Sequence, residues 1–397
     1  MMQITKETSF VLLMALVYGL AVLPLSFELP AISAIGAAFK LSHAEMKLSI
    51  TTFWAFFTLG QFLFAYMLPK YPVQKIISLA IVVFILSFTI HAFTHSSHIF
   101  FILRILEGLC CGGFLLMGRF AMAKAYGANE SNYLIQFAKL SSAITALTVL
   151  LPILGGVIND YTHWRYIYLV IASTALSLYF LRRQTFIFNQ PRSSSPKKDF
   201  MVVLGNMELM CKSLLGGFAR SIIVNFNTNL ALFLLNYHHW SSMHYASLMF
   251  VFSCFSIIAR LYLRQLRELF GTIYLNYILM LILLIVPIFF LFNRLYAYDL
   301  LFYLAGGLIT VASSLLATLY SSTTQFKLAN QKQAMSLAVM GVIQNMALVA
   351  GTVMSIFLAN DTLFSLSELI ILSTCVLFVI DYASNGHHRQ FESFASN

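Results

Sequence analysis

Of 397 residues, 60% are hydrophobic and only 10% charged, with a mean hydropathy of +0.83. A soluble globular chain carries about a quarter charged residues, so this balance excludes a water-soluble enzyme or binding module. The net charge of +10 needs no nucleic-acid partner, because the basic residues gather in the joins between apolar runs, where they report topology.

A bilayer core of roughly 30 Å takes about 20 helical residues. Apolar runs of that kind fall at about 9–37, 45–68, 75–93, 98–122, 133–158, 164–182, 210–236, 243–263, 270–292, 299–320, 334–358 and 362–382, predicting twelve transmembrane helices. The runs do not alternate in hydrophobicity, so they are helices and not barrel strands. The first, from Phe10 onward, is too long for a signal peptide and has no small-residue cleavage site before soluble sequence. Most joins are short and carry breakers such as Pro69 and Pro72, so successive helices are antiparallel.

The longest polar join, Arg183–Leu209, contains Gln190-Pro191-Arg192-Ser193-Ser194-Ser195-Pro196-Lys197-Lys198. It divides the chain into an N-terminal six-helix bundle (1–182), a basic linker (183–209), a C-terminal six-helix bundle (210–383) and a tail (384–397). Lys70, Lys75, Lys124, Arg182, Arg183, Arg192, Lys197, Lys198, Lys212, Arg264, Arg267, Lys327 and Lys332 fall in one set of joins; the other has Lys40, Lys47, Arg165 and Arg294. The positive-inside rule makes the first set, and both termini, cytoplasmic.

An ionisable side chain at membrane depth costs at least about 2.5–3.5 kcal/mol on insertion scales, so it belongs beside a cavity or a partner. Glu28 in span one has no basic neighbour in its own helix. A carboxyl without a fixed partner suits a proton carrier or a cation site; a static interhelical pair and an interfacial position are the other readings. In span two, Phe53-Trp54-Ala55-Phe56-Phe57 is the densest aromatic cluster, and an aromatic cavity with few charges suits amphipathic or cationic molecules. Arg104 and Glu107 in span four stand at i,i+3 and can pair on one helix face. Arg119 and Lys139 lie near span ends, where they can snorkel to the surface.

Span seven holds Arg220, Asn225, Asn227 and Asn229 in its first half, a set that either binds a polar substrate or ties helices together. Gln344-Asn345 in span eleven is a weaker signal of the same kind, and Glu368 in span twelve reads as interfacial. His43, His95, His98, His163, His238, His239 and His244 fall at the predicted outer face, with His91 close by. They are ordinary interface residues, or groups that an acidic medium charges to bias an outward gate. A metal site of His238, His239 and His244 lacks an acidic partner, and the five cysteines have no metal-ligand spacing and read as packing residues.

Three stretches carry a resemblance. Arg104-Ile105-Leu106-Glu107-Gly108 is similar to an R-x-x-Q-G signature, Leu151-Pro152-Ile153-Leu154-Gly155-Gly156 to a G-P-x-x-G-G antiporter motif, and Pro24-Leu25-Ser26-Phe27-Glu28-Leu29-Pro30-Ala31 with Leu59-Gly60-Gln61 to the opening of drug:proton antiporters. Together with the six-plus-six layout, they resemble the major facilitator superfamily and, within it, the bicyclomycin- and chloramphenicol-resistance branch, whose halves rock about a midplane site. The resemblance covers most of the N-terminal half. It departs in three places: Ser26 stands where the branch has an acid, which here appears two residues later as Glu28; the loop latch G-x-x-x-D-x-x-G-R-K is replaced by Ala65-Tyr66-Met67-Leu68-Pro69-Lys70-Tyr71-Pro72-Val73-Gln74-Lys75; and Glu107 replaces the usual Gln.

The resemblance implies an all-α major facilitator fold in a bacterial inner membrane, working as a monomer on a small-molecule substrate and protons, without cofactor or metal. Proton coupling then falls to Glu28, Arg104 and Glu107, substrate contact to Trp54, Arg220, Asn225, Asn227, Gln344 and Asn345, and gating or close packing to Pro152, Gly155 and Gly156. The leading expectation is proton-coupled efflux of small amphipathic molecules, and the second a dedicated metabolite or siderophore transporter. A membrane enzyme lacks a catalytic constellation, a channel lacks a filter-like loop, and a receptor or scaffold needs neither a deep carboxylate nor six-plus-six symmetry.

Overall fold

The computed structural model describes residues 16–68, 70–126, 147–181, 207–288, 299–328, 333–358 and 363–395, nearly all of them helical. In chain order the helices are α1 (Leu23–Phe39), α2 (His43–Met67), α3 (Val73–Phe93), α4 (Ser97–Tyr126), α5 (Leu147–Tyr161), α6 (Arg165–Leu181), α7 (Met207–Leu232), α8 (Ser242–Leu261), α9 (Leu263–Phe270), α10 (Thr272–Ile285), α11 (Asp299–Leu328), α12 (Gln333–Leu358) and α13 (Leu363–Ala395). Eight of them, α2, α3, α4, α7, α8, α11, α12 and α13, are long and apolar enough to cross a membrane, and α1, α5 and α6 are shorter apolar helices. With α10 they lie where the apolar runs predicted spans, so the protein is an all-α, multi-pass integral membrane protein.

Local chemistry sets the helix ends. Pro30 removes a backbone donor inside α1, and the chain tightens there into a 3-10 turn over Leu29–Ala31. Lys40 closes α1 in the left-handed region, with φ 56°. Ser42 and Glu45 then start α2 with a reciprocal capping box. The apolar run of α7 ends in a π turn, Phe233–Tyr237, and Ser241 caps α8 by accepting from the His244 N–H.

Two differences from the sequence reading concern element ends. Arg264 and Arg267, expected in a plain loop, sit on the short amphipathic helix α9, which meets α10 at 108°. Its Leu263 and Leu266 lean on the core while both arginines are exposed, the pattern of a helix lying along a membrane face. Helix α13 also runs on to Ala395, well past the expected start of a tail at 384. The first residues of span one, the start of span five with Lys139, the side chain of Arg119 and most of the linker 183–209 lie outside the described residues.

Among the described residues packing produces two large apolar cores, beside a small cluster of Leu209, Val339, Met340 and Ile343. One draws on Val17 to Leu178, the other on Leu215 to Leu377 together with Ile32, Met46 and Ile50, which bridge to it from α1 and α2. Within the first core α2 and α4 touch backbone to backbone: a methyl group on Gly112 would collide with the Phe57 carbonyl, and one on Gly60 with that of Leu109. In lipid, where apolar side chains gain little by meeting one another, such close approach is a main source of helix association.

Candidate proton-coupling and substrate sites

Arg104 on α4 is the hub of a buried polar cluster. Its Nη2 donates to Glu28 Oε2 on α1 and, at 3.4 Å, to the Tyr168 hydroxyl on α6, while its Nη1 donates to Glu107 Oε2 at 3.2 Å. The other Glu107 oxygen, Oε1, lies 2.7 Å from His91 Nδ1 on α3. The His91 ring stacks on Tyr168, with centroids 4.1 Å apart and planes 10° apart. Phe100 and Phe39 pack around the imidazole, and Glu28, His91, Arg104 and Glu107 are all buried. Four helices are tied together here.

The expected Arg104–Glu107 pair is present, and Glu28, for which an interhelical pair was one of three readings, is paired with Arg104 of α4. The cation lies 76 residues away in sequence, beyond the reach of any within-helix spacing rule. His91, grouped with the outer-face histidines, is instead fully buried beside Glu107.

The charges do not balance. With both carboxylates ionised and His91 neutral, one guanidinium faces two negative charges, a net of −1. One added proton on the Glu107–His91 pair brings the cluster to zero. An unpaired charge away from water is costly.

Around Trp54 lies a cavity of about 280 Å³, lined from α1, α2, α5, α7, α8 and α11 and so by both halves of the chain. Ser26 faces it. Glu28, two residues and about 200° further round the helix, lines a smaller void of about 20 Å³ with Arg104. Leu25, Leu29 and Ile50 border both spaces and separate the charge cluster from the cavity.

Of the expected substrate residues, Trp54 and Asn227 line the cavity. Arg220 lies behind Trp54, its guanidinium carbon 5.9 Å from the indole centroid. Asn225 is not among the cavity-lining residues; its amide donates to the Gly351 carbonyl at 2.9 Å, the helix-tying arrangement that the sequence left open. Neighbouring Asn229 likewise donates to Ser355 Oγ at 2.9 Å, clamping α7 to α12. Gln344 donates to Ser321 Oγ at 3.1 Å on α11. Asn345 is buried, and neither it nor Gln344 is among the cavity-lining residues.

Pro152 lines the cavity on α5, and the glycines after it serve two different contacts. A methyl group on Gly155 would strike the Phe27 carbonyl of α1; one on Gly156 would come within 2.8 Å of the Ser242 carbonyl and 3.0 Å of the Ala246 side chain on α8. One turn further on, Asp160 accepts from the Ser242 N–H at 3.0 Å and the Met243 N–H at 2.8 Å, and Asn159 donates to Ser242 Oγ at 2.8 Å. A carboxylate from one half therefore occupies the N-terminus of a helix in the other, where unpaired N–H groups and the helix dipole favour an anion. Asn236 adds a second link at this histidine-bearing end, joined to Ser33 on α1 and, at 2.8 Å, to His43 Nε2.

Tyr168, Asn159 and Asp160 were not singled out from the sequence, and His91 was read only as a histidine near the outer face. Only His91 left a usable trace, being a histidine inside an apolar run, two residues before its end at Phe93.

The fold is that of a polytopic membrane protein with a cluster of ionisable groups buried among its helices. The profile of the Major Facilitator Superfamily matches residues 14–352, and the chain belongs to that family. No curated protein matches it in sequence. Among solved structures it is similar to the nucleoside transporter NupG, at 11% identity over 96% of this chain and 98% of that one, with a TM-score of 0.69. It is also similar to a D-xylose–proton symporter, at 13% identity over 94% and 97% with a TM-score of 0.69. A third is a bacterial homologue of the human lysosomal transporter Spinster, at 12% identity over 96% and 95% with a TM-score of 0.68. At these identities the likeness is one of fold.

Proposed function

We propose that this protein is a proton-coupled antiporter that exports small amphipathic molecules by alternating access, with its basic end in the cytoplasm. The observation that carries the reading is the cluster of Glu28, Arg104, Glu107 and His91, which joins three helices, and a fourth through Tyr168, and is one proton short of neutrality when its carboxylates are ionised. A proton taken up from one side changes the charge of the cluster, and with it the balance between helix arrangements. The cavity borders the cluster through Leu25, Leu29 and Ile50, so a substrate that moves α1 or α2 changes the surroundings of Glu28. Each charge moved through 100 mV contributes about 2.3 kcal/mol, enough for one proton to drive a substantial gradient.

A dedicated metabolite carrier is the second reading. It is favoured by the cavity volume, about 280 Å³, just below the roughly 300–1,000 Å³ usual for ligand pockets; such a volume suits a single small molecule better than a siderophore.

The test is flux of candidate drugs and metabolites in proteoliposomes under an imposed pH gradient, wild type beside Glu28→Gln and Arg104→Ala. Gradient-driven flux in the wild type, lost in both variants, is expected. Robust flux that ignores both the gradient and Glu28 would sink the proton-coupled reading.

A further inference from the structure

From the way α7 ends we propose that its terminal π turn, Phe233–Tyr237, is a two-position latch. In the turn as it stands, Asn236 ties the C-terminal half to the N-terminal one; in the α register of the rest of the helix, the same side chain turns to α12 and this end is released to open. The proposal deepens the transport reading and rests on its alternating access.

Three observations carry it. The first is the division of faces along α7. Asn225 and Asn229 bond α12 through the Gly351 carbonyl and Ser355 Oγ, while Ile223, Val224, Asn227 and Thr228 line the cavity between the halves. An α-helix advances about 100° per residue. Unbroken α geometry would therefore set Asn236 within about 20° of both Asn225 and Asn229, on the α12 face. Asn236 bonds the other half instead: its Oδ1 accepts from the Ser33 hydroxyl on α1, and its Nδ2 lies 2.8 Å from His43 Nε2 on α2. The second observation is the turn itself. Bonding from i to i+5 takes one residue more per turn than an α-helix, which sets the chain back by up to about 100°, from the α12 face toward the cavity side. The extra residue is what brings Asn236 to the N-terminal half. The third is the connection that follows. The Trp240 N–H reaches back to the Leu234 carbonyl at 3.1 Å, and His239 is held at φ 52°, a conformation uncommon away from glycine. Two unusual backbone arrangements thus follow one another beside the residue that joins the halves, and such arrangements persist where their surroundings over-determine them.

Tightening the turn to α frees one residue into the connection around His238 and His239 and rotates Asn236 into line with the amides that already bond α12. Its bonds to Ser33 and His43 break together. The amide is not stranded, because it moves to a face where α12 already partners its neighbours. An exchange of hydrogen bonds by one side chain keeps the two arrangements close in free energy, as a reversible transition requires.

The test uses the full-length protein in nanodiscs, in a background without reactive cysteines. Spin labels on exposed Thr162 and His244 report the distance across this end by pulsed electron resonance. The otherwise unaltered protein is compared with Asn236→Ala, with a form lacking Leu235 and with a form lacking His239. Asn236→Ala removes the tie but keeps the turn, and also removes the amide that α12 would receive. It should raise the longer-distance population by up to about fivefold, the order of one lost neutral hydrogen bond. Loss of Leu235 takes the extra residue out of the turn; loss of the exposed His239 shortens the connection by the residue that the α register gives back. Each deletion should raise the longer-distance population at least about tenfold, because the tie is broken while the amide stays available to α12. Distances unmoved by both deletions, or shifts no larger than that of Asn236→Ala, would overturn the proposal. Failure of the form lacking His239 to fold would overturn it too, since the second register accommodates the shorter connection. Shifts of the expected size without gradient-driven flux in proteoliposomes would defeat the antiport reading alone, and gradient-driven flux with distances that ignore the deletions would defeat the latch alone.

Discussion

At the scale of single residues, the arithmetic of the charge cluster separates Glu28 from Glu107. Glu28 is bonded directly to Arg104, so its ionised form has a cationic partner; Glu107 divides its oxygens between Arg104 and His91, so one proton can be shared between its carboxylate and the imidazole. Besides these, the charged and titratable groups around the imidazole are Tyr168 stacked on it and Arg165, whose guanidinium is bonded to the Ala92 and Thr94 carbonyls. Glu107→Gln removes one negative charge and leaves Glu28 against Arg104, a cluster neutral without an added proton. Gradient-driven flux should then vanish while substrate exchange across the membrane persists. Retention of pH-driven accumulation in this variant would move the exchangeable proton back to Glu28. Arg104→Ala is harsher, because it strands two carboxylates; losing one partner of a buried pair costs about 3–5 kcal/mol, visible as a lower unfolding temperature in detergent.

At the scale of elements, α5 shows how neighbouring positions do different work. Gly155 faces α1 within its own half, and Gly156 faces α8 across the interface. Gly155→Ala should therefore destabilise the protein whatever conformation it adopts, by about 1–3 kcal/mol of overpacking, read by thermal unfolding. Gly156→Ala should leave unfolding nearly unchanged, because α5 and α8 can part, and should shift the protein toward a state with that end open, read as a longer spin-label distance. Equal loss of unfolding temperature in both would mean that α5 and α8 do not separate. The contrast also marks how far the sequence could be read. The helices were legible because lipid demands long apolar runs. The P-x-x-G-G stretch was legible as a packing site, but which glycine meets which helix was not. The amides of α7 show the same limit: Asn225 and Asn227 are the same residue type two positions apart, about 200° round the helix, one bonded to the Gly351 carbonyl and the other lining the cavity. Composition flags both, and only the packing of α12 against α7 tells them apart.

At the scale of the whole molecule, the two halves are held together at the histidine-bearing end by polar contacts. Asp160 and Asn159 engage the start of α8, and Asn236 reaches Ser33 and His43. The alternating access proposed above requires this end to open, so its closing contacts must be individually modest. A carboxylate capping a helix N-terminus fits that need, contributing about 0.5–2 kcal/mol, which is a change of roughly two- to thirtyfold in a two-state population. The loop that carries a charge latch in the resembled branch has lost its acid and arginine here, leaving Asp160 as a charged hydrogen-bonding group described between the halves at the opposite end. Asp160→Ala should therefore shift the population toward the open form at this end by a factor within that range. Labels on exposed Thr162 and His239, in a background without reactive cysteines, report the change as growth of a longer distance in pulsed electron resonance. Asp160→Asn, which keeps an acceptor but loses the charge, should fall between the two. A distance distribution unmoved by Asp160→Ala would mean that Asn236 and the apolar contact of Ile32, Met46 and Ile50 with the second core hold this end shut without help from the carboxylate.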